Sequence, residues 1–322
     1  MAVIESDRLT KRFGKLTAVA SATFEVADGT TFGLLGSNGA GKSTLIRLLT
    51  TLLLPSSGSA RVNGCDVVRE ADAVRRSIGV IPQARTSDLD LTAAENLYFY
   101  AGLFSLPLTG RRQRITELLE AVGLREWSDK LVRTFSGGML RRLEIARSLM
   151  HKPRILFLDE PSAGLDPASR TATWDMMRRL QAENGLTIVL TTHYMEEADL
   201  MCDRIGILHQ GKIVKVETPE ALKASVPTTR PLEVEFDAAP ANWSETVSRL
   251  PGITDLRITG RRYQIDSTDS VATAAALLDL AGRNNVGFSS LSLERNTLDD
   301  VYFHYSGRDL NTAAEPAAGN RE

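Results

Sequence analysis

Gly36-Ser37-Asn38-Gly39-Ala40-Gly41-Lys42-Ser43 constrains this chain more than any other stretch. It fits the pattern G-x-x-x-x-G-K-S/T, a strand-like run leads into it, and a helical pattern runs from Ser43 to about Leu54, where Pro55-Ser56-Ser57-Gly58 stops it. Glycines in such a loop let backbone N–H groups converge on phosphate oxygens, and the following helix N-terminus adds positive potential. Residues Gly36 to Thr44 are therefore the candidate nucleotide-binding loop. Lys42 is suited to neutralise β- and γ-phosphates and the Ser43 hydroxyl to ligate Mg2+.

A second signal is Ile155-Leu156-Phe157-Leu158-Asp159-Glu160, a buried-type strand that delivers two carboxylates at its end, where a doubly wound sheet places its ligands. Beside a phosphate loop, Asp159 is expected to hold magnesium and Glu160 to polarise the attacking water. Between the two signals lies Phe135-Ser136-Gly137-Gly138-Met139, at the head of a basic helix.

Composition bounds the remaining possibilities. With 322 residues and 43% hydrophobic content, the chain has enough apolar material for one large domain and one small one. A net charge of -2 with acids and bases interspersed gives no broad cationic field, so nucleic acid is not an expected partner. Cys65 and Cys202 form no Cys-x-x-Cys pair and suggest no disulfide framework. No secretory signal is visible. No apolar run approaches the roughly 18 residues that span a bilayer. If the chain works at a membrane, another chain is expected to supply the membrane part.

Alternating strand and helix patterns argue for a layered α/β core. Residues 2 to 35 read as a strand-rich opening layer, 78 to 81 as a strand and 92 to 133 as a mostly helical insert. Next come a helix from about Gly138, a strand over 155–158, a helix from about Pro167, a strand over 186–191 and a short helix near Glu196. Val226 to Pro231 reads as a linker with two prolines. Beyond it strand 232–237, helix 241–250, strands 253–258 and 262–267, helix 270–283 and strand 287–294 give a βαββαβ order, compatible with a small ferredoxin-like α+β domain over 232–306. A short helix over 297–305 closes that domain, and residues 307–322 read as a disordered tail.

With these residues in hand, 3 to about 225 resemble an ABC ATPase domain through an ordered set of motifs. The resemblance implies a P-loop NTPase fold of ABC type, ATP hydrolysis, and two ATP molecules sandwiched between two such subunits, most simply a homodimer. It implies that Ser136, Gly137 and Gly138 close over ATP held by the phosphate loop of the other copy, and that Asp166, in Ser162-Ala163-Gly164-Leu165-Asp166, lies on the loop that crosses the interface. Phe13 stands where an aromatic stacks on adenine, Gln83 where a glutamine senses magnesium and contacts the membrane partner, and His193 where a histidine reaches the γ-phosphate. Asp166 before Pro167 also suits a helix N-cap.

Met139 departs from the glutamine many family members carry, and Ser37 from a common proline. The backbone amides of the motif survive, so hydrolysis is expected. The Ser-Gly-Gly-Met run and the closing Thr297-Leu298-Asp299-Asp300-Val301-Tyr302-Phe303 resemble the subgroup of daunorubicin and doxorubicin resistance exporters. That resemblance implies export of an amphipathic, drug-like compound through a separate multi-spanning permease, with this chain at the cytoplasmic face of the membrane. Lipid or glycan export, import, and a soluble ABC ATPase remain the alternatives. No catalytic constellation is visible after residue 231, and a packing or dimer-stabilising module is expected there.

Overall fold

The structure is a computed structural model that describes residues 1–226, 231–238, 240, 242–293 and 296–306. Most of the expected linker, 227–230, and the expected disordered tail, 307–322, lie outside the described residues. The chain divides into two compact units, Met1–Pro219 and Glu220–Glu322.

The first unit begins with an antiparallel layer, β1 (Ala2–Phe13), β2 (Leu16–Ala27), β4 (Ser57–Val62) and β5 (Cys65–Asp66), in the order β2-β1-β4-β5. Alternation along β2 buries Ala22, Phe24 and Val26, and Val19 joins them across a break in the register at left-handed Ser21, so one face of this layer is apolar and covers the core. Phe24 stacks on Phe32 of the neighbouring sheet at 5.5 Å between ring centroids.

That neighbouring sheet is six-stranded, in the order β10-β9-β3-β8-β7-β6, built from β3 (Thr31–Leu35), β6 (Ile78–Ile81), β7 (Ile155–Asp159), β8 (Thr187–Thr192), β9 (Arg204–His209) and β10 (Lys212–Glu217). All its pairings are parallel except β9 with β10. β3, β7 and β8 are buried at every position, which explains the apolar runs over 32–35, 155–158 and 188–190: parallel strands covered on both faces have no solvent side to alternate with. The C-terminal ends of β3, β6, β7 and β8 lie on one edge, so the segments following Leu35, Ile81, Asp159 and Thr192 emerge together.

Helix α1 (Lys42–Leu49) ends earlier than its sequence suggests. Thr51 turns left-handed at φ 65°, and the Leu52 and Leu53 amides both fold back to the Arg47 carbonyl, so the chain reverses well before Pro55. Helix α2 (Ala71–Ser77) then leads into β6. The insert holds α3 (Ala93–Leu103) and α4 (Arg111–Ala121), with single turns of tighter helix at Arg125–Trp127 and Val132–Thr134. A reciprocal Thr92–Glu95 capping box starts α3. Three further helices, α5 (Gly137–Ser148), α6 (Pro167–Asn184) and α7 (Met195–Met201), flank the sheet, and α8 (Pro219–Ala224) spans the junction between the units.

The second unit runs β11 (Leu232–Phe236), α9 (Trp243–Ser248), β12 (Ile253–Thr259), β13 (Arg262–Ser267), α10 (Ser270–Arg283), β14 (Phe288–Leu293) and α11 (Leu298–Ser306). Its antiparallel sheet has the order β12-β13-β11-β14. Helix α9 is shorter than the stretch 241–250, because Pro251 biases Leu250 away from helix. One sheet face carries Leu232, Val234, Phe236, Tyr263 and Ile265 into a core closed by Trp243, Val247 and Leu277. Phe236 meets Trp243 and Tyr263 edge-on, at 5.4 and 4.9 Å. Phe236→Ala is expected to cost this unit roughly 3–5 kcal/mol, read from urea unfolding followed by indole fluorescence. An unchanged midpoint would show that this aromatic group does not hold the unit together.

Candidate functional site

The phosphate loop leaves β3 and enters α1 through Gly41, whose φ of 107° and close approach to the Ala18 carbonyl oxygen leave no room for a Cβ. Lys42 is 5% exposed, and its Nζ donates to the carbonyls of Gly36 at 2.7 Å and Ser37 at 3.0 Å. Burial pulls its pKa below the ordinary lysine value, while Glu160 and Asp159 push it back up. The cation is thus held against the loop, within 3.8 Å of the Glu160 carboxylate.

Asp159 closes β7, and its Oδ1 accepts from the Ser43 hydroxyl at 3.2 Å and from Thr191 Oγ1 at 2.6 Å. Glu160 follows at a left-handed φ of 49°, a conformation that costs on the order of 1–3 kcal/mol for a residue with a side chain. Its amide donates to the carbonyl and hydroxyl of Thr191. The Glu160 carboxylate then faces three groups: Lys42, His193 Nδ1 at 3.2 Å from Oε1, and Gln83 Nε2, which donates to Oε2 at 3.2 Å.

The loop, Gln83 and Glu160 line an open cleft of about 470 Å³. Phe13, 47% exposed, forms one wall with Leu16 and Ala18, and Lys11 Nζ lies over its ring at 5.2 Å. The structure therefore brings together Phe13, Gly36 to Thr44, Gln83, Asp159, Glu160 and His193 from five separate stretches of chain.

Ser136, Gly137, Gly138 and Asp166 do not line this cleft. Ser136 is exposed and caps α5 by accepting from the Met139 amide at 3.3 Å; Asp166 caps α6 by accepting from the Ser169 amide at 2.9 Å. A side-chain hydrogen bond with Ser169, helped by that amide bond, holds the Asp166 carboxyl below the usual carboxylate range. The two helix starts lie against each other, since a Cβ on Gly138 would come within 2.8 Å of Ser169 Oγ.

Several contributors carry no motif. Thr191 orders both acids. Arg141, buried in α5, donates to the carbonyls of Pro82 at 3.0 Å and Pro161 at 2.8 Å and pairs with buried Glu144 at 3.0 Å. Glu144 in turn accepts from the Thr86 amide at 3.0 Å. The visible signal for this pair is an arginine and a glutamate at i,i+3 on a helix whose other buried positions are mostly apolar.

A phosphate loop at the end of β3, with an acid pair at the end of β7 two strands away in the same parallel sheet, defines a P-loop nucleotide hydrolase. The ABC transporter family profile matches residues 19–163. The daunorubicin resistance ATP-binding protein DrrA3 of Streptomyces coeruleorubidus is 39% identical over 95% of this chain and 96% of that protein. The Nod factor export ATP-binding protein I of Ralstonia nicotianae is 40% identical over 96% and 95%. Among solved structures, the dimer of an ATP-binding cassette in a post-hydrolysis state, bound to ADP and phosphate, superposes with a TM-score of 0.59 at 26% identity, covering 67% of this chain and 98% of that one. This chain belongs to the ABC transporter ATP-binding protein family, and it is an ATPase.

Arg141→Ala leaves Glu144 buried without its cation and is expected to destabilise the first unit by roughly 3–5 kcal/mol, measured by chemical denaturation. A loss below about 1 kcal/mol would show that the pair behaves like a surface ion pair.

Proposed function

We propose that this chain is the ATP-hydrolysing subunit of an exporter that moves an amphipathic, drug- or antibiotic-like compound through a separate multi-spanning permease. The observation that carries this reading is similarity to a daunorubicin resistance protein along nearly the whole of both chains, the second unit included.

In this reading Phe13 stacks on adenine while Gly36 to Thr44 cradle the phosphates, with Lys42 exchanging its loop carbonyls for phosphate oxygens. The Ser43 hydroxyl, the Asp159 carboxylate and the Gln83 amide oxygen are hard donors that suit Mg2+. Phosphate oxygens and water would supply the remaining ligands of the ion. When bound, magnesium supplies charge neutralisation at the β- and γ-phosphates. Glu160 orients the attacking water and accepts its proton. His193 holds the Glu160 carboxylate from one side and reaches toward the γ-phosphate.

Ser136, Gly137, Gly138 and Asp166 act on ATP held by a second copy of the chain. Ser136 is exposed at a helix N-terminus, whose amides favour an anion, and the related cassette structure is dimeric.

The permease meets the loop after Gln83 and the neighbouring helix α3. Asn96 of α3 binds Asp88 in both directions at 2.9 Å, so loop and helix form one surface. Tyr98, Phe99, Leu103 and Leu108 are exposed on that insert, an apolar surface suited to a protein partner. No helix among the described residues is long and apolar enough to cross a membrane. The chain works at the cytoplasmic face, held through the permease. Lipid or glycan export is the second reading, and the likeness to a Nod factor export protein supports a cargo other than a drug.

Glu160→Gln is expected to bind Mg-ATP, accumulate as a dimer on size exclusion, and turn over roughly 10²–10⁴-fold more slowly; near-normal turnover would remove Glu160 from this role. The same variant, tagged and extracted from its host's membranes in mild detergent with ATP, is expected to bring down a stoichiometric multi-spanning protein. Recovery only from the soluble fraction, with ribosomal or DNA-repair proteins, would end the exporter reading and leave the ATPase standing.

A further inference from the structure

A buried carboxylate outside the cleft ties two site loops together. Glu197, in the first turn of α7, is 5% exposed. Its Oε2 accepts from Ser162 Oγ at 2.7 Å and from Thr192 Oγ1 at 3.2 Å, and its Oε1 lies 3.3 Å from Arg170 Nε. Ser162 and Thr192 are themselves buried. Two hydroxyl donors and a guanidinium surround this carboxylate, and burying it this deeply would be costly without them.

Each partner belongs to a segment that adjoins Glu160, Asp166 or His193. Ser162 lies two residues past Glu160, on the loop that runs to Asp166, where Ala163 N donates to the Glu160 carbonyl. Thr192 immediately precedes His193, and its hydroxyl also accepts from the Tyr194 amide at 2.9 Å. Arg170 stands one turn into α6, where its amide donates to the Asp166 carbonyl. Its guanidinium covers the Tyr194 ring at 4.8 Å, and that ring lies 4.1 Å from the His193 imidazole. His193 Nδ1 is 3.2 Å from Glu160. One carboxylate thus fixes the 161–166 loop and the His193 turn to each other.

Building on the proposed two-copy ATPase, we infer that Glu197 is a positioning residue that locks the Asp166 loop and the His193 turn into one unit, so that a displacement of the loop at the partner surface reaches His193 beside Glu160. Side-chain bonds that leave the nucleotide untouched favour an effect on turnover over an effect on affinity, because the phosphate-loop contacts are made elsewhere.

Glu197→Gln is the sharpest probe. The amide keeps the size and can still accept from the hydroxyls, but it then turns an NH2 toward Arg170, donor against donor. In the full-length chain, kcat for Mg-ATP is expected to fall roughly tenfold to a hundredfold, with KM and equilibrium nucleotide affinity within about twofold of wild type. In hydrogen–deuterium exchange without nucleotide, segments 161–166 and 192–195 should gain exchange together while 36–44 stays unchanged. Exchange rising in only one of the two segments or in neither, or turnover and affinity falling in parallel, would overturn the inference. Should Glu197→Gln not fold, Ser162→Ala removes one arm of the contact and must still loosen 192–195; protection there at the wild-type level would overturn it equally. The exchange measurement needs no hydrolysis, so a failure of the ATPase roles appears in Glu160→Gln, and a failure of the coupling appears here.

Discussion

The register of three buried parallel strands underlies everything in the cleft. β7 pairs with β8 so that Asp159 stands opposite Thr191, and β8 pairs with β3 so that Thr192 stands opposite Leu35, the last residue before the phosphate loop. The Thr191 hydroxyl can then reach Asp159 Oδ1, which also receives the Ser43 hydroxyl from the first turn of α1. A slip of one residue in either pairing would turn these side chains to the opposite face of the sheet. Close packing on both faces opposes such a slip, since each layer would have to receive side chains of a different shape.

Helix α5 carries that geometry outward. At its N-terminus Ser136 is exposed, while one turn later Arg141 is clamped to the carbonyls of Pro82 and Pro161 and to Glu144. Further along, Arg147 donates to the Thr86 carbonyl at 2.6 Å. The segment after Gln83 is therefore bonded to the same rigid element that presents Ser136. Burial lowers the pKa of Arg141 against the opposing field of Glu144, yet a guanidinium stays charged at any pH the fold survives. The link between the Gln83 segment and Ser136 is thus a permanent one, independent of protonation.

Much of this was legible in the chain. The Gly36 to Ser43 pattern, the Asp159-Glu160 pair and the Asp166-Pro167 helix start are local chemistry, and each sits where its neighbours in sequence require. The βαββαβ order of the second unit followed from alternating periodicities. Less legible were the end of α1, where a left-handed Thr51 stops the helix ahead of the proline, and the supporting residues Thr191, Arg141, Glu144 and Glu197. Their partners lie far away in sequence: Thr191 serves an acid 32 residues earlier, and Glu197 a serine 35 residues earlier. Spacing along a chain holds no record of such meetings.

The amino-acid sequence by itself determined which groups exist for nucleotide chemistry and which local conformations present them, because glycine, lysine, hydroxyl and carboxylate at short spacing act through backbone geometry and charge. Only the tertiary structure decided that Gln83, Lys42 and His193 converge on one Glu160 carboxylate, that Phe13 walls the same cleft, and that Ser136 and Asp166 lie outside its lining. The reason is the order of strands in the central sheet. It sets β3 beside β8 and β7 beyond it, and hydrophobic burial selects that order across the whole layer at once.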